Sequence, residues 1–215
     1  WKDLPERISK ETGHSVYTYW RYGHGHSSPA EKPFTCESDV EILHTLLTQN
    51  KITNPIIYAH SCGSVVGLYY AAKYPVEKIV MTAGYLKYDQ AMIDSLNRLR
   101  ERLEAGGMPE LSYVHENVDD MFYPWYKRCT TSSFDTEDIY NQALKIKCPV
   151  YNIRYDDDPY SSKYQAQLLR EAIPQIQMTI LPGSLHTVHK RKPELIINLL
   201  KWIFVIIFLN TINNS

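Results

Sequence analysis

Neither sign of charge dominates this chain: 23 Lys and Arg stand against 24 Asp and Glu in 215 residues, a formal net charge of −1. Without a basic surplus there is no electrostatic case for a nucleic-acid partner, and the short basic runs at 98–102 and 190–192 read as solvated faces. Cysteine is scarce. Cys36, Cys62, Cys129 and Cys148 show neither C-x-x-C nor zinc-type spacing, so no metal site or disulfide framework is expected, and a reducing, cytoplasmic setting is. His24 and His26 lack a third ligand in their neighbourhood, and the expectation is no metal and no cofactor. Long apolar runs are missing too. The longest, residues 203–209, falls short of the roughly 20 residues of a membrane span even when extended back to Leu195 past Lys201 and Asn198. It reads as core packing with an apolar end able to touch a membrane surface or a partner.

What is present is enough apolar residue, 44%, for one sizeable core. Strand-like runs at 16–20, 56–59 and 78–83 alternate with helical periodicity at 37–49, where Val40, Leu43 and Leu47 share a face, and at 64–74. Such alternation predicts an α/β fold, a mostly parallel sheet with helices on both faces. From residue 85 to 147 the pattern changes. Met92, Leu96, Leu99 and Leu103 mark one amphipathic helix, Gly106-Gly107 ends it, and Leu111, Val114, Val118, Met121 and Trp125 mark another. Residues 85–147 therefore read as a helical cap inserted into a core made of 1–84 and 148–209.

The chemistry starts at Ser61, in Tyr58-Ala59-His60-Ser61-Cys62-Gly63-Ser64, where an apolar strand meets a helix. A sharp strand-to-helix turn needs small residues two before and two after the serine, here Ala59 and Gly63. Such a turn lifts the hydroxyl above the sheet edge and aims the next amide, that of Cys62, at the same point, so nucleophile and oxyanion donor share one turn. The pattern alone is weak, because a serine capping the following helix looks the same. Partners decide it. A serine needs a histidine to take its proton, and the histidine needs a carboxylate. Residues 148–154 read as a buried strand running into Tyr155-Asp156-Asp157-Asp158-Pro159, and residues 177–181 as a strand running into Pro182-Gly183-Ser184-Leu185-His186. Ser61, Asp158 and His186 thus each follow a strand end. Asp157 and Asp89 stay open as alternative acids, and His189 as an alternative base.

These segments together resemble the α/β-hydrolase superfamily over nearly the whole chain. Tyr22-Gly23-His24-Gly25-His26-Ser27 resembles its G-x-G-x-S loop, residues 59–64 its nucleophile elbow, residues 153–159 its strand and acid, residues 181–186 its P-G-x-x-H loop, and Lys192-Pro193-Glu194 the start of its last helix. Arg21-Tyr22-Gly23, residues 115–125 and Asp157-Asp158 followed by Tyr160 are similar to a bacterial-type hydrolase subgroup. Three positions depart from the pattern: Ala59 and Tyr155 replace glycine, and Trp20 replaces a common aspartate. No His-Gly oxyanion segment is found, and residues 4–12 read as the helix that follows it, so the first strands are expected to precede Trp1. In relatives the cap shapes the substrate pocket, which makes Met121, Phe122, Tyr123, Trp125 and Tyr126 candidate wall residues, with His60 and Tyr160 beside the triad. The resemblance implies a serine hydrolase of small ester, thioester or related acyl substrates working through an acyl-enzyme. The alternatives are a non-catalytic binding protein of this fold and a carbon–carbon bond hydrolase or lyase on the same triad.

Overall fold

The computed structural model describes residues 1–28, 35–131 and 136–212, with the side chains of 136, 137 and 204–212 outside the description. The side chains of most of the apolar run at 203–209 therefore lie outside the described residues. Among the described residues no helix is long and apolar enough to cross a membrane. The chain divides into two compact units, residues 1–19 with 187–215, and residues 20–186.

The larger unit is built on four strands, β1 (Ile56–His60), β2 (Lys78–Thr82), β3 (Val150–Tyr155) and β4 (Gln177–Leu181), in the order β1-β2-β3-β4. Every neighbouring pair is parallel, with Tyr58 opposite Val80, Met81 opposite Asn152 and Ile153 opposite Thr179. The two central strands, β2 and β3, are buried at every position, as a parallel sheet covered on its faces requires. Parallel strands need crossovers, and these are α3 (Cys62–Lys73) between β1 and β2, α4 (Gln90–Glu104), α5 (Val118–Thr130) and α6 (Thr136–Ala143) between β2 and β3, and α7 (Lys163–Ala172) between β3 and β4, while α2 (Cys36–Gln49) precedes β1. The core joins Leu68, Ile79, Met81, Leu86, Val150, Leu169 and Ile173, each fully or almost fully buried.

Between β2 and β3 the periodicity that predicts a single second helix through Leu111 and Trp125 resolves into two pieces. A 3-10 turn (Pro109–Tyr113) ends at Val114, and α5 starts afresh behind Asn117, whose side chain accepts the Asp120 amide. An asparagine cap satisfies the new helix's first amides and makes Asn117 a start rather than a mid-helix residue. The strand expected over residues 16–20 is not formed: the segment is irregular and Val16, Tyr17, Tyr19 and Trp20 are exposed. Its aromatic and β-branched residues favour extended backbone, but a strand exists only with a partner, and none of the described strands pairs with it.

The smaller unit holds α1 (Leu4–Thr12), a single turn α8 (Val188–Arg191) and α9 (Pro193–Ile212). Leu4 and Ile8 are buried on α1, and Ile196, Ile197, Leu200 and Ile203, spaced for one helix face, are buried on α9. Arg7 with Glu194, and Lys201 with Glu11, bridge the two helices at the surface.

In the larger unit, Asp39 is the electrostatic anchor of α2. It is 2% exposed, and one of its oxygens accepts from Arg21 Nη1 at 3.2 Å and from Arg128 Nη1 at 3.3 Å. Arg128 is itself buried. Asp39→Ala takes away the buried carboxylate that the two guanidinium groups share, and it is expected to lower the unfolding free energy by about 3–5 kcal/mol in urea denaturation. A loss within experimental error would show that the two arginines find other partners.

Candidate active site

Ser61 sits at the C-terminal end of β1 and immediately before α3, with φ 52° and ψ −124°. A non-glycine residue in that region carries strain of order 1–3 kcal/mol and persists only where the surroundings hold it. They do so here. Its N–H donates to Thr82 O at 3.0 Å, extending the β1–β2 ladder by one rung, and its carbonyl accepts from Ser64 N at 2.8 Å as α3 begins. The turn also needs α3 close to β1. A Cβ placed on Gly63 would lie 3.9 Å from Ala59 Cβ, and one on Gly67 would lie 3.8 Å from Ala59 Cβ and 3.3 Å from Ile57 Cγ2. The methyl of Ala59 therefore fits beneath the helix where a larger side chain would not, which accounts for this departure from glycine. Cys62 opens α3, and its N–H belongs to the helix's first turn, whose amides have no intrahelical acceptor.

The other two residues arrive from the ends of β3 and β4. His186 Nε2 lies 2.9 Å from Ser61 Oγ, and Nδ1 lies 2.9 Å from each oxygen of Asp158. A carboxylate only accepts, so Nδ1–H donates to Asp158 and Nε2 is left to accept from the serine hydroxyl. The Asp158 side chain is shut off from solvent, at 0% exposure, while that of His186 retains 18%. The Tyr160 amide donates a further bond to Asp158 Oδ1 at 2.9 Å. The imidazole of His186 is flanked by two rings, His60 with centroids 4.7 Å apart and Tyr160 at 4.9 Å. His60 is fixed in turn through Nδ1, which meets the carbonyl and hydroxyl oxygens of Thr82 at 3.2 and 3.1 Å.

The run of three aspartates sorts itself by backbone. Asp156 N–H donates to Leu181 O and Asp157 N–H to Gly183 O, while Asp156 Oδ1 accepts from Gly183 N at 2.8 Å. These bonds lace the acid loop to the histidine loop. They leave Asp156 as the anchor, Asp157 exposed and Asp158 turned to His186. Tyr155, the second departure from glycine, is buried, and Gly183 crosses its ring at φ 125°, where a Cβ would stand 3.5 Å from Tyr155 Cδ1. Asp89, the alternative acid, is committed elsewhere: it caps α4 through Met92 N and accepts from Ser162 Oγ and Gln165 Nε2. His189, the alternative base, is buried in α8 with its ring 4.9 Å from that of Trp1.

Of the candidate wall residues, Trp125 reaches the elbow, donating Nε1–H to Cys62 Sγ at 3.3 Å. Met121 and Phe122 are buried, Phe122 against Trp125 and stacked on Tyr126. Tyr123 is exposed and Tyr126 donates to Asn97. Sequence reasoning missed Thr82, which holds both Ser61 and His60, and Tyr85, whose hydroxyl meets Cys62 Sγ at 3.1 Å. Neither carries a local signal, because the partners are 22 and 23 residues apart in sequence.

The G-x-G loop turns out to be a packing device. A Cβ on Gly25 would lie 2.2 Å from Trp20 Cδ2, so glycine is what lets the Trp20 ring lie across the loop. His24 Nδ1–H donates to Tyr22 O and Nε2 accepts from Arg21, the neutral tautomer. Burial, then the Arg21 charge, pushes its pKa from 6.5 down to about 4. The unfolded chain therefore takes up a proton here that the folded chain refuses. Stability from this group is complete above pH 6.5 and is expected to fall as pH drops toward about 4. Urea midpoints across that window measure it, and His24→Gln should flatten the decline.

A sequence model described as the alpha/beta hydrolase fold matches residues 1–107. No curated protein matches the chain. Similar solved structures include MGS-M2, an alpha/beta hydrolase enzyme from a Medee basin deep-sea metagenome library, with TM-score 0.71 and 18% identity over 94% of this chain and 84% of that one. They also include a structure from a study of carboxylesterases of the thaumarchaeon Nitrososphaera gargenis, with TM-score 0.69 and 20% identity over 91% and 80%. The monoacylglycerol lipase of Paleococcus ferrophilus has TM-score 0.68 and 16% identity over 93% and 88%. The chain has the alpha/beta hydrolase fold.

Proposed function

We propose that the chain is a serine hydrolase of small ester, thioester or related acyl substrates, acting through an acyl-enzyme. The observation that carries this reading is the connected line Ser61 Oγ, His186 Nε2, His186 Nδ1, Asp158, each link at 2.9 Å, on a serine held at positive φ. Ser61 Oγ attacks the carbonyl carbon as Nε2 takes its proton. The imidazolium then faces the buried Asp158 carboxylate, which stabilises the charge and keeps the ring oriented. The tetrahedral oxyanion is met by the Cys62 amide at the start of α3, a donor of the kind worth roughly 3 kcal/mol to the transition state. Nε2–H next protonates the leaving oxygen or sulfur, and water, deprotonated by the same imidazole, releases the acid. Tyr160 and His60 restrict the ring to this orientation from its two sides. The carboxylesterases and the monoacylglycerol lipase of the same fold support an acyl substrate, and the residues 85–147 that precede β3, with Trp125 at the elbow, serve in this reading as a cap over it.

Rapid mixing with a nitrophenyl ester tests the mechanism. A burst of nitrophenol approaching one equivalent per chain, with the acyl group recovered on Ser61, is expected. Turnover with no acylated Ser61 at any time would replace the acyl-enzyme by direct attack of water.

A further inference from the structure

One buried cation has no part in that chemistry: Arg154, the fifth of the six residues of β3. It is 1% exposed. Its Nε–H donates to Tyr155 O at 3.3 Å and its Nη2–H to Ser162 O at 2.8 Å, while Nη1 has no hydrogen-bond partner among the described residues. Those two carbonyls mark the ends of the acid loop. Tyr155 is the last residue of β3 and Ser162 is the N-cap of α7, and between them stands the shielded side chain of Asp158. A planar guanidinium that meets two carbonyls at once fixes their separation, as a single-point donor does not. Stability does not call for this choice. Burying a guanidinium is costly, a fork with one buried nitrogen unpaired recovers only part of that cost, and an apolar side chain of similar volume often serves a core as well or better. Ser162 O would not be orphaned by such a side chain, because it also accepts from Gln165 N at 3.0 Å. Other straps hold the loop to its surroundings, Ser95 Oγ to Pro159 O at 2.7 Å and Ser161 Oγ to Gly84 O at 2.8 Å, but each acts on one residue of the loop. Arg154 spans it. Burial is the largest influence on the guanidinium and disfavours its charge, the Asp158 carboxylate favours that charge, and Arg170 of α7 opposes it.

We propose that Arg154 is a positioning residue of the active site: by spanning the two ends of the acid loop, it sets where the Asp158 carboxylate meets His186. The effect on turnover rests on the reading of Ser61 as nucleophile, whereas the placement of Asp158 does not. Both oxygens of Asp158 lie 2.9 Å from His186 Nδ1, a symmetrical placement that a small movement of the loop would lose. Without the fork the loop ends are free to part, and the imidazolium formed as Ser61 attacks is left with a displaced counter-charge. A misplacement of ~1 Å costs up to about 100-fold in rate. The substrate binds before that charge exists, so the loss falls on kcat rather than on KM.

The test compares Arg154→Met and Arg154→Lys with the parent, each as the full chain, by nitrophenyl ester kinetics, urea denaturation and proton NMR. The NMR readout is the far-downfield signal of His186 Nδ1–H, which reports its hydrogen bond to a carboxylate. Arg154→Met is expected to lower kcat by roughly 10- to 100-fold with KM within about threefold of the parent. Its urea midpoint should stay close to the parental one, while the downfield signal shifts or broadens. Arg154→Lys keeps the cation but not the fork, and its kcat should fall between the other two. Parental kcat and an unchanged signal in Arg154→Met overturn the proposal. So does a loss carried by KM alone, or a kcat loss that comes only with a collapsed urea midpoint and an unchanged signal. Should Arg154→Met fail to fold, Arg154→Lys decides: parental kcat and signal overturn the positioning role, and a partial loss of both in a folded chain supports it. A parent with the downfield signal but no ester turnover, the signal being altered in Arg154→Met, counts against Ser61 as nucleophile and leaves the placement of Asp158 by Arg154 standing.

Discussion

Ser61→Ala is expected to reduce kcat on a short-chain nitrophenyl ester by about 10⁶, the scale on which removal of a triad nucleophile removes nearly all of the triad's contribution. The fold should survive. The substitution deletes one hydroxyl, keeps the Ser61 amide bonded to Thr82 O, and leaves the turn's small neighbours at 59 and 63 in place. Far-UV circular dichroism and the urea midpoint should match the parent. An alanine variant hydrolysing the ester at the parental rate would mean that the observed turnover comes from another group.

Asp158→Asn is expected to lower kcat by about 10⁴. The amide can present its NH2 to His186 Nδ1, which then must accept rather than donate, and the proton moves to Nε2, where it no longer can receive one from Ser61. The neighbouring carboxylates supply the control. Asp156 uses Oδ1 as an acceptor for Gly183 N, a role that asparagine's carbonyl oxygen retains, so Asp156→Asn should stay within about tenfold of the parent. Asp89→Asn should weaken the α4 cap and its bonds to Ser162 and Gln165, costing stability on the order of 1 kcal/mol while sparing kcat. If Asp89→Asn were the variant that lost activity at constant stability, the acid would have to be reassigned to the segment after β2.

Ser61, Asp158 and His186 are separated by long stretches of chain, yet their placement together is legible because each lies in the loop or turn that follows an apolar run of strand length, and parallel strands bring such ends to one edge. The β4 boundaries at Gln177 and Leu181 coincide with the expected ones for the same reason: turn residues flank the run on both sides. Periodicity fails where a side chain intervenes. Asn117 converts one expected helix into a 3-10 turn and α5, a capping event that the spacing of Leu111, Val118 and Trp125 does not register. The same holds for residues 16–20, whose composition favours a strand that needs a partner to exist. Contacts between distant segments left no local trace: Thr82 under His60, Asp39 between Arg21 and Arg128, and the Trp125 and Tyr85 donors on Cys62 arise only once the helices are packed. Ala59 and Tyr155 could be flagged in the sequence as departures, but what accommodates them, Gly63 and Gly67 in one case and Gly183 in the other, is a matter of close approach in three dimensions.

A fluorophosphonate probe tests whether Ser61 is an activated nucleophile, with no assumption about the substrate. Phosphonylation needs a serine whose proton is taken and a leaving group expelled, so it reports the Ser61–His186–Asp158 line itself. One covalent adduct per chain is expected, mapped by peptide sequencing to Ser61, absent in Ser61→Ala and forming much more slowly in Asp158→Asn. Labelling that maps to another residue, or a folded chain that takes no label at all, would contradict it.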